Sequence, residues 1–270
     1  MKNTQVIGIA SGKGGVGKTA TSTNLAVALS LRGHSVMLFD ADLGLANAQL
    51  ALGCPAEYNF SHVLSGEKSL ADIVLTTRHG IKLIPGASGV QHLASLDTLQ
   101  ASAIVQAFSE LQDEVDYLII DSAAGISDSV VTFMQAAQRR FIVLRDEPSS
   151  IADAYGTIKV LTQERGMDEI YLIPNMVPNQ QAGVALHQRI NEVCLRFLGK
   201  PVGYLHSVVE DEHMLSAIRS YQSVLEHAPG SAAARDFRNM ATEVEQLPPC
   251  EQTSGGIQFF IERLVGRGAA

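Results

Sequence analysis

"ASGKGGVGKTAT" fills residues 10–21, directly after the apolar run "VIGIA". Its spacing, Gly12-x-x-x-x-Gly17-Lys18-Thr19, is that of a Walker A loop, and a strand-like run before it with a helix-like stretch after it is the context such a loop needs. The glycines let backbone N–H groups turn inward around phosphates. Lys18 neutralises charge on the β and γ phosphates, and the Thr19 hydroxyl is placed to ligate Mg²⁺. A plain Gly-rich turn has little structural use for Gly-Lys-Thr at this point. The loop also holds one lysine more than this chemistry requires: Lys13, five residues before Lys18.

Outward from the loop, short β-rich runs recur between helical stretches. They are "QVIGIA" (5–10), "SVMLFD" (35–40), "IKLIP" (81–85), "DYLIID" (116–121), "FIVLRD" (141–146), "IYLIPN" (170–175) and "VGYLHSVV" (202–209). Several are almost continuously apolar, as expected of parallel strands covered on both faces. Helical patterns occupy 19–32, 97–112, 128–138, 150–165, 181–198 and 231–246. The alternation predicts an α/β fold: a single doubly wound domain, mostly parallel β-sheet, with helices on both faces. That domain is expected over 1–246. "LPPCEQTSGG" (247–256) has the Pro, Ser and Gly content of a linker, and a short apolar tail, 257–270, follows it.

The chain has 270 residues, 46% of them apolar, and a formal charge of −8. The acidic balance speaks against a broad electrostatic grip on nucleic acid. Cys54, Cys194 and Cys250 are scattered, with neither a CxxC pair nor metal-ligand spacing, which fits a reducing compartment. A strand begins within a few residues of the N-terminus, so no signal peptide is expected. No stretch approaches the roughly 20 apolar residues of a membrane span.

A phosphate loop also needs carboxylates for Mg²⁺ at the carboxyl ends of neighbouring strands. "VMLFDADLGLAN" places Asp40 and Asp42 just past the second strand, and "YLIIDSAAG" places Asp121 at the end of another. One such carboxylate alone is equally well read as a loop cap; beside Gly12–Thr19, metal or water handling is the better reading. ATP is the expected nucleotide. The late strand ends "IPNMVPN", without the Asn-Lys-x-Asp that reads guanine, and Asn175 is either an adenine contact or a turn-forming residue.

The loop Gly12-Lys13-Gly14-Gly15-Val16-Gly17-Lys18-Thr19 resembles the deviant Walker A motif of the MinD/ParA ATPases. Within that group, "DADLGLAN" (40–47), "DSAAGISDSV" (121–130) and "DEPSSIADAYGTIK" (146–159) resemble the flagellar-number regulators FleN and FlhG, and the similarity runs over nearly the whole chain. The resemblance implies slow, switch-like hydrolysis of ATP and a face-to-face homodimer in the ATP state. It implies that Lys13 reaches the partner's phosphates and that Asp42 orients the attacking water. It implies Thr19, Asp40 and Asp121 in the Mg²⁺ shell, with Val16 and Ala20 completing the loop's nucleotide contacts. Glu147 lies where the family meets the second subunit and its nucleotide. The implied partner is a flagellar enhancer-binding transcriptional activator of FleQ type, with an FlhF-type GTPase or a flagellar C-ring protein as further candidates. Two features depart from the family. Only a few residues precede the first strand, where some FlhG proteins carry an extension that stimulates FlhF. "HSVVEDEHM" has Val209 where a proline normally stands near the adenine.

In the tail, Ile257, Phe260, Ile261, Leu264 and Val265 fall on one stripe of a helix, with Arg263 and Arg267 beside it. That composition suits an amphipathic helix that targets the inner face of the cytoplasmic membrane, or one docked on the domain itself. One copy binds weakly, so two copies in a dimer would tie membrane residence to ATP. The alternatives are a division-site MinD, against which "DADLGLAN" and "DEPSS" speak, and a ParA-type partition ATPase, against which the acidic charge speaks.

Overall fold

A computed structural model describes residues 4–43, 46–87, 98–108, 111, 115–248 and 259. β1 (Gln5–Ser11) leads through the phosphate loop into α1 (Lys18–Leu31) and β2 (Val36–Ala41). Next come α2 (Ala48–Ala51), α3 (Phe60–Leu64), β3 (Leu75–Thr76), β4 (Lys82–Ile84) and α4 (Thr98–Ala107). The middle of the chain forms β5 (Tyr117–Ala124), α5 (Asp128–Ala136), β6 (Arg139–Leu144) and α6 (Pro148–Lys159), which runs into a π-helical turn, Val160–Glu164. β7 (Ile170–Val177), α7 (Gln180–Leu198), β8 (Gly203–Tyr204), β9 (Val208–Val209), α8 (Glu212–Arg219), α9 (Val224–His227) and α10 (Ala232–Gln246) complete it.

The sheet order is β3-β4-β2-β5-β1-β6-β7-β8, with β9 also on β7, and every pairing is parallel except β3 with β4. The central strands have helices on both sides, which is why their sequences are apolar without alternation. One face carries α4 to α7, through residues such as Ile104, Val131, Ile158 and Leu186. The other carries α1, α9 and α10, through Leu25, Val224 and Phe237. β1 and β5 are neighbours, but the chain leaves β1 toward β2 and leaves β5 toward β6. Their carboxyl ends therefore frame a topological switch point, where ligands of open α/β sheets bind.

Two expectations shift in detail. "VGYLHSVV" is not one strand. β8 pairs with Tyr171 and Leu172 and β9 with Asn175 and Val177, while the residues between turn aside, Leu205 bonding Leu172 and Ser207 bonding Gln180. Asp40 lies inside β2 rather than past its end, and Asp121 inside β5 rather than at its end, because both strands extend beyond the apolar runs. The short helices α2, α3, α8 and α9 escape sequence reading, having too few turns for a period to register.

Beyond Pro248, the rest of the expected linker and the apolar stripe of the tail, Ile257, Phe260, Ile261, Leu264 and Val265, lie outside the described residues. Phe259 does not: it is buried, edge-on to Phe108 at 4.8 Å between centroids, on the α4–α7 face. It is not a member of the apolar stripe. Among the described residues, no helix is long and apolar enough to cross a membrane.

Candidate functional site

The loop between β1 and α1 is shaped by its neighbours as much as by its glycines. A Cβ on Gly12 would stand 2.3 Å from the Asp153 backbone, so α6 passes too close for any side chain there. Gly17 has φ +90°, a conformation open to glycine, and caps α1 without a side chain of its own. The first-turn amides of α1 thus face the crevice uncapped, where helix geometry favours an anion. Gly14, Gly15 and Val16 complete the loop. Ser11 Oγ donates to the Lys13 carbonyl at 3.0 Å and closes it against β1.

The two lysines part company. Lys18 points into the crevice, 8% exposed, and donates to Asp121 Oδ1 at 2.7 Å. Ser22, one turn further along α1, donates to the same oxygen at 2.9 Å. Asp121 is fully buried, and its Oδ2 has no hydrogen-bond partner among the described residues. Lys13 lies on the outside. Its Nζ donates to Ser149 Oγ at 2.9 Å and stands 3.7 Å from Glu147, which also pairs with Arg145 at 3.3 Å. Glu147 thus meets Lys13 of its own chain, just ahead of α6, in a half-exposed pair worth little to folding.

Asp40 stands directly across from Asp121, since β2 and β5 pair residue for residue there. Its Oδ2 accepts the Asn47 and Ala48 amides, both at 2.8 Å, and its Oδ1 accepts the Asp42 amide at 3.2 Å. One buried carboxylate thereby anchors the segment that carries half-buried Asp42 and caps α2. Burial, and then the nearby Asp121 charge, push the Asp40 carboxyl up to about 7. The folded chain binds this proton more tightly than the unfolded chain does. The group's favourable contribution is complete below the ordinary carboxylate range and is lost as pH rises through about 7. Nucleotide-free protein should therefore melt at least about 2 °C higher at pH 5.5 than at pH 8 through this group, and Asp40→Asn should flatten that difference. Parallel melting curves for the two proteins across this range would refute the assignment.

These groups suit a polyphosphate with a hard divalent cation. The loop amides and Lys18 meet phosphate oxygens; Thr19 and Ala20 open α1 beneath them. Among the described residues no cluster of three or more His, Cys, Asp or Glu forms a metal cage. A cation held by Thr19, Asp40 and Asp121 would complete its shell from phosphate and water, the habit of Mg²⁺. The unpartnered Asp121 Oδ2 is the acceptor such a shell would satisfy.

Asn175 is buried within β7, two residues before its end, and its Nδ2 donates to the Val16 carbonyl at 2.7 Å. A Cβ on Gly17 would meet that nitrogen at 2.2 Å. The side chain braces the phosphate loop, which the sequence reading, weighing adenine contact against turn, did not anticipate. At Val209 the amide N–H donates to the buried Asp236 Oδ2 at 3.0 Å. A proline there would have no N–H to give, so this bond accounts for the departure from the family pattern. Ser22 and Ser149 were also missed; only the i+4 spacing of Ser22 from Lys18 hinted at it.

The family described as ParA, NUBPL iron-transfer P-loop NTPase, matches residues 2–245. The two described cysteines, Cys54 and Cys194, pack on opposite faces of the sheet. The antiactivator FleN of Pseudomonas aeruginosa is 41% identical over 265 residues, covering 98% of this chain and 95% of that protein. The flagellum site-determining protein YlxH of Helicobacter pylori is 32% identical over 269 residues, 97% and 90% of the two chains. The septum site-determining protein MinD of Pyrococcus horikoshii, solved with Mg-ADP, superposes with a TM-score of 0.76 at 26% identity, covering 91% of this chain and 97% of that one.

Proposed function

The chain belongs to the MinD/ParA family of P-loop NTPases, and we propose that it is an ATP-gated dimerising switch that regulates flagellar number and biosynthesis. The observation that carries the flagellar reading is the 41% identity to antiactivator FleN over almost the full length of both chains. By that likeness the ATP dimer binds and restrains a flagellar enhancer-binding transcriptional activator, and slow hydrolysis resets it. Deleting the gene should raise the number of flagella per cell; unchanged number and position would overturn the reading.

The placement of the two lysines supports the switch. Lys18 serves the nucleotide of its own chain from inside the crevice, next to Asp121. Lys13 stands outside, held by side chains that a second copy can displace. In the dimer it serves the partner's phosphates, where a cation offsets charge that develops in the transition state. Bound Mg-ATP supplies the phosphoryl group; Asp42, held by Asp40, accepts hydrogen bonds from the water that attacks it. Neither subunit then holds a complete site, so pairing precedes hydrolysis.

Asp42→Ala should bind ATP, fail to hydrolyse it and accumulate as dimer. Sizing chromatography with ATP that shows only monomer would contradict the scheme. The 1–246 domain, the 247–256 linker and the 257–270 membrane-targeting helix form the rest of the proposal. Burial of Phe259 supports docking of the tail region on its own domain. Release of that segment in the dimer would confine membrane binding to the ATP state.

A further inference from the structure

The amino ends of β7 and β8, opposite the nucleotide crevice, enclose a cavity of about 300 Å³. Ile170 opens β7 beside it, while Asn175, at the phosphate loop, stands five residues on, about 17 Å along the strand. The inner wall of the cavity is core: Met167 and Ile170 are each 5% exposed. Thr162, carried in by the π-helical turn, spends its hydroxyl on the Ile158 carbonyl at 2.8 Å. A flat wall comes from Tyr171, whose ring lies over Gly203. A Cβ on Gly203 would meet the ring carbon Cδ1 at 2.4 Å, so glycine is what lets the ring settle. Phe141 packs edge-on to the same ring at 5.9 Å between centroids.

The rim carries the polar chemistry. Tyr171 Oη donates to Glu169 Oε2 at 2.8 Å, and Lys200 Nζ donates to Asp168 Oδ1 at 2.6 Å, tying the loop before β7 to the loop before β8. Both donor groups are directed at carboxylates, so what the rim offers a guest is acceptor oxygen: two carboxylates and a phenol. Charge agrees, since two carboxylates against one ammonium leave one negative charge. Arg140 fixes the backbone beneath the carboxylates. Its amide N–H donates to the Glu169 carbonyl at 3.0 Å and its guanidinium to the Asp168 carbonyl at 3.0 Å, with Glu169 held at φ +55°. A rim fixed in this way loses less freedom when a guest arrives.

We propose that this cavity binds a small organic cation, a primary amine with an aromatic body. An ammonium has donors and no acceptor, which matches a rim of acceptors, and its bond to the Glu169 carboxylate is charge-assisted. The body is taken by the apolar walls of Met167, Ile170 and the Tyr171 ring, the mixture of apolar surface and few polar groups that small-molecule sites use. An anion of the same shape meets a negative rim whose one cation is already paired with Asp168.

Tryptamine is the probe. The chain contains no tryptophan, so indole fluorescence reports the probe alone. Titration with the full chain should give a saturable change, with an affinity at least about ten times that for indole-3-propionate, which has the same ring and a carboxylate in place of the ammonium. Glu169→Gln should weaken tryptamine binding about tenfold without shifting the circular dichroism melt, since Glu169 is exposed. Lys200→Gln should act in the opposite direction, tightening tryptamine about threefold by releasing Asp168, a gain that damage to the fold does not produce. Saturating Mg-ADP should leave the affinity for tryptamine unchanged. No saturation, equal affinity for the two probes, or weaker tryptamine binding in Lys200→Gln would overturn the proposal. So would displacement of tryptamine by Mg-ADP, which would put the amine in the nucleotide crevice.

Discussion

Lys13→Ala should bind ATP with the affinity of the native chain and hydrolyse it at no more than about one-thousandth of the native rate, the scale of loss when a cation acting across an interface is removed. Affinity is expected to survive because the loop amides and Lys18 lie on the other side of the loop from Lys13. Folding should survive as well, since Lys13 and Glu147 are about two-fifths exposed and such pairs contribute little. The decisive form of the experiment mixes two inactive proteins. In a mixed dimer of Lys13→Ala with Asp42→Ala, the site on the Lys13→Ala subunit keeps its own Asp42 and receives an intact Lys13 from its partner. That site works; the other lacks both groups. Mixing should therefore restore hydrolysis. If Lys13 instead acts within its own subunit, both sites stay dead and the mixture shows no activity.

Lys18→Ala should lose nucleotide binding altogether, with calorimetry showing no heat at concentrations where the native chain saturates. The same substitution should lower the stability of the nucleotide-free protein, and this second effect comes from the fold. Lys18 is the cation beside fully buried Asp121, whose Oδ2 already lacks a partner and which faces Asp40 across the β2–β5 pair. Removing one member of a buried pair typically costs about 3–5 kcal/mol, because the other charge is left uncompensated. Protonation offers relief: with the cation gone, a proton on Asp40, whose carboxyl is already pushed up to about 7, ends the repulsion. The melting temperature of Lys18→Ala should therefore fall below the native value at pH 8 and recover toward it near pH 5. A variant that melts like the native chain at both pH values would show that the Lys18–Asp121 contact does not contribute. Binding is measured well below the melting temperature, so that lost affinity is not mistaken for unfolding.

The groups in these predictions were not equally visible beforehand. Lys18 and Thr19 are legible because a phosphate loop is a local device, its glycines and lysine a few residues apart and its strand and helix adjoining. Asp40 and Asp121 are legible as carboxylates on apolar strands, yet nothing in either stretch says that they face each other. That follows from β2 and β5 pairing in one particular register, which is decided by burial of both strands between two helical layers. Asn175 brings the same lesson from the other side. Its position at a strand end was apparent, but its amide reaches a carbonyl 159 residues away. Val209 looked like a missing proline until the buried carboxylate of Asp236 claimed its N–H.

The amino-acid sequence by itself determined the alternating α/β plan, the phosphate loop and the surplus cation at Lys13, because hydrophobic period, glycine freedom and residue spacing are properties of short segments. Only the tertiary structure decided that Lys18 and Lys13 face opposite ways, one against Asp121 and the other against Glu147 and Ser149. It also decided that Asp40 is buried opposite Asp121, so that burial first and that charge second raise its carboxyl. Each of these depends on which distant segments the burial of apolar surface brings together, and that is a property of the folded whole.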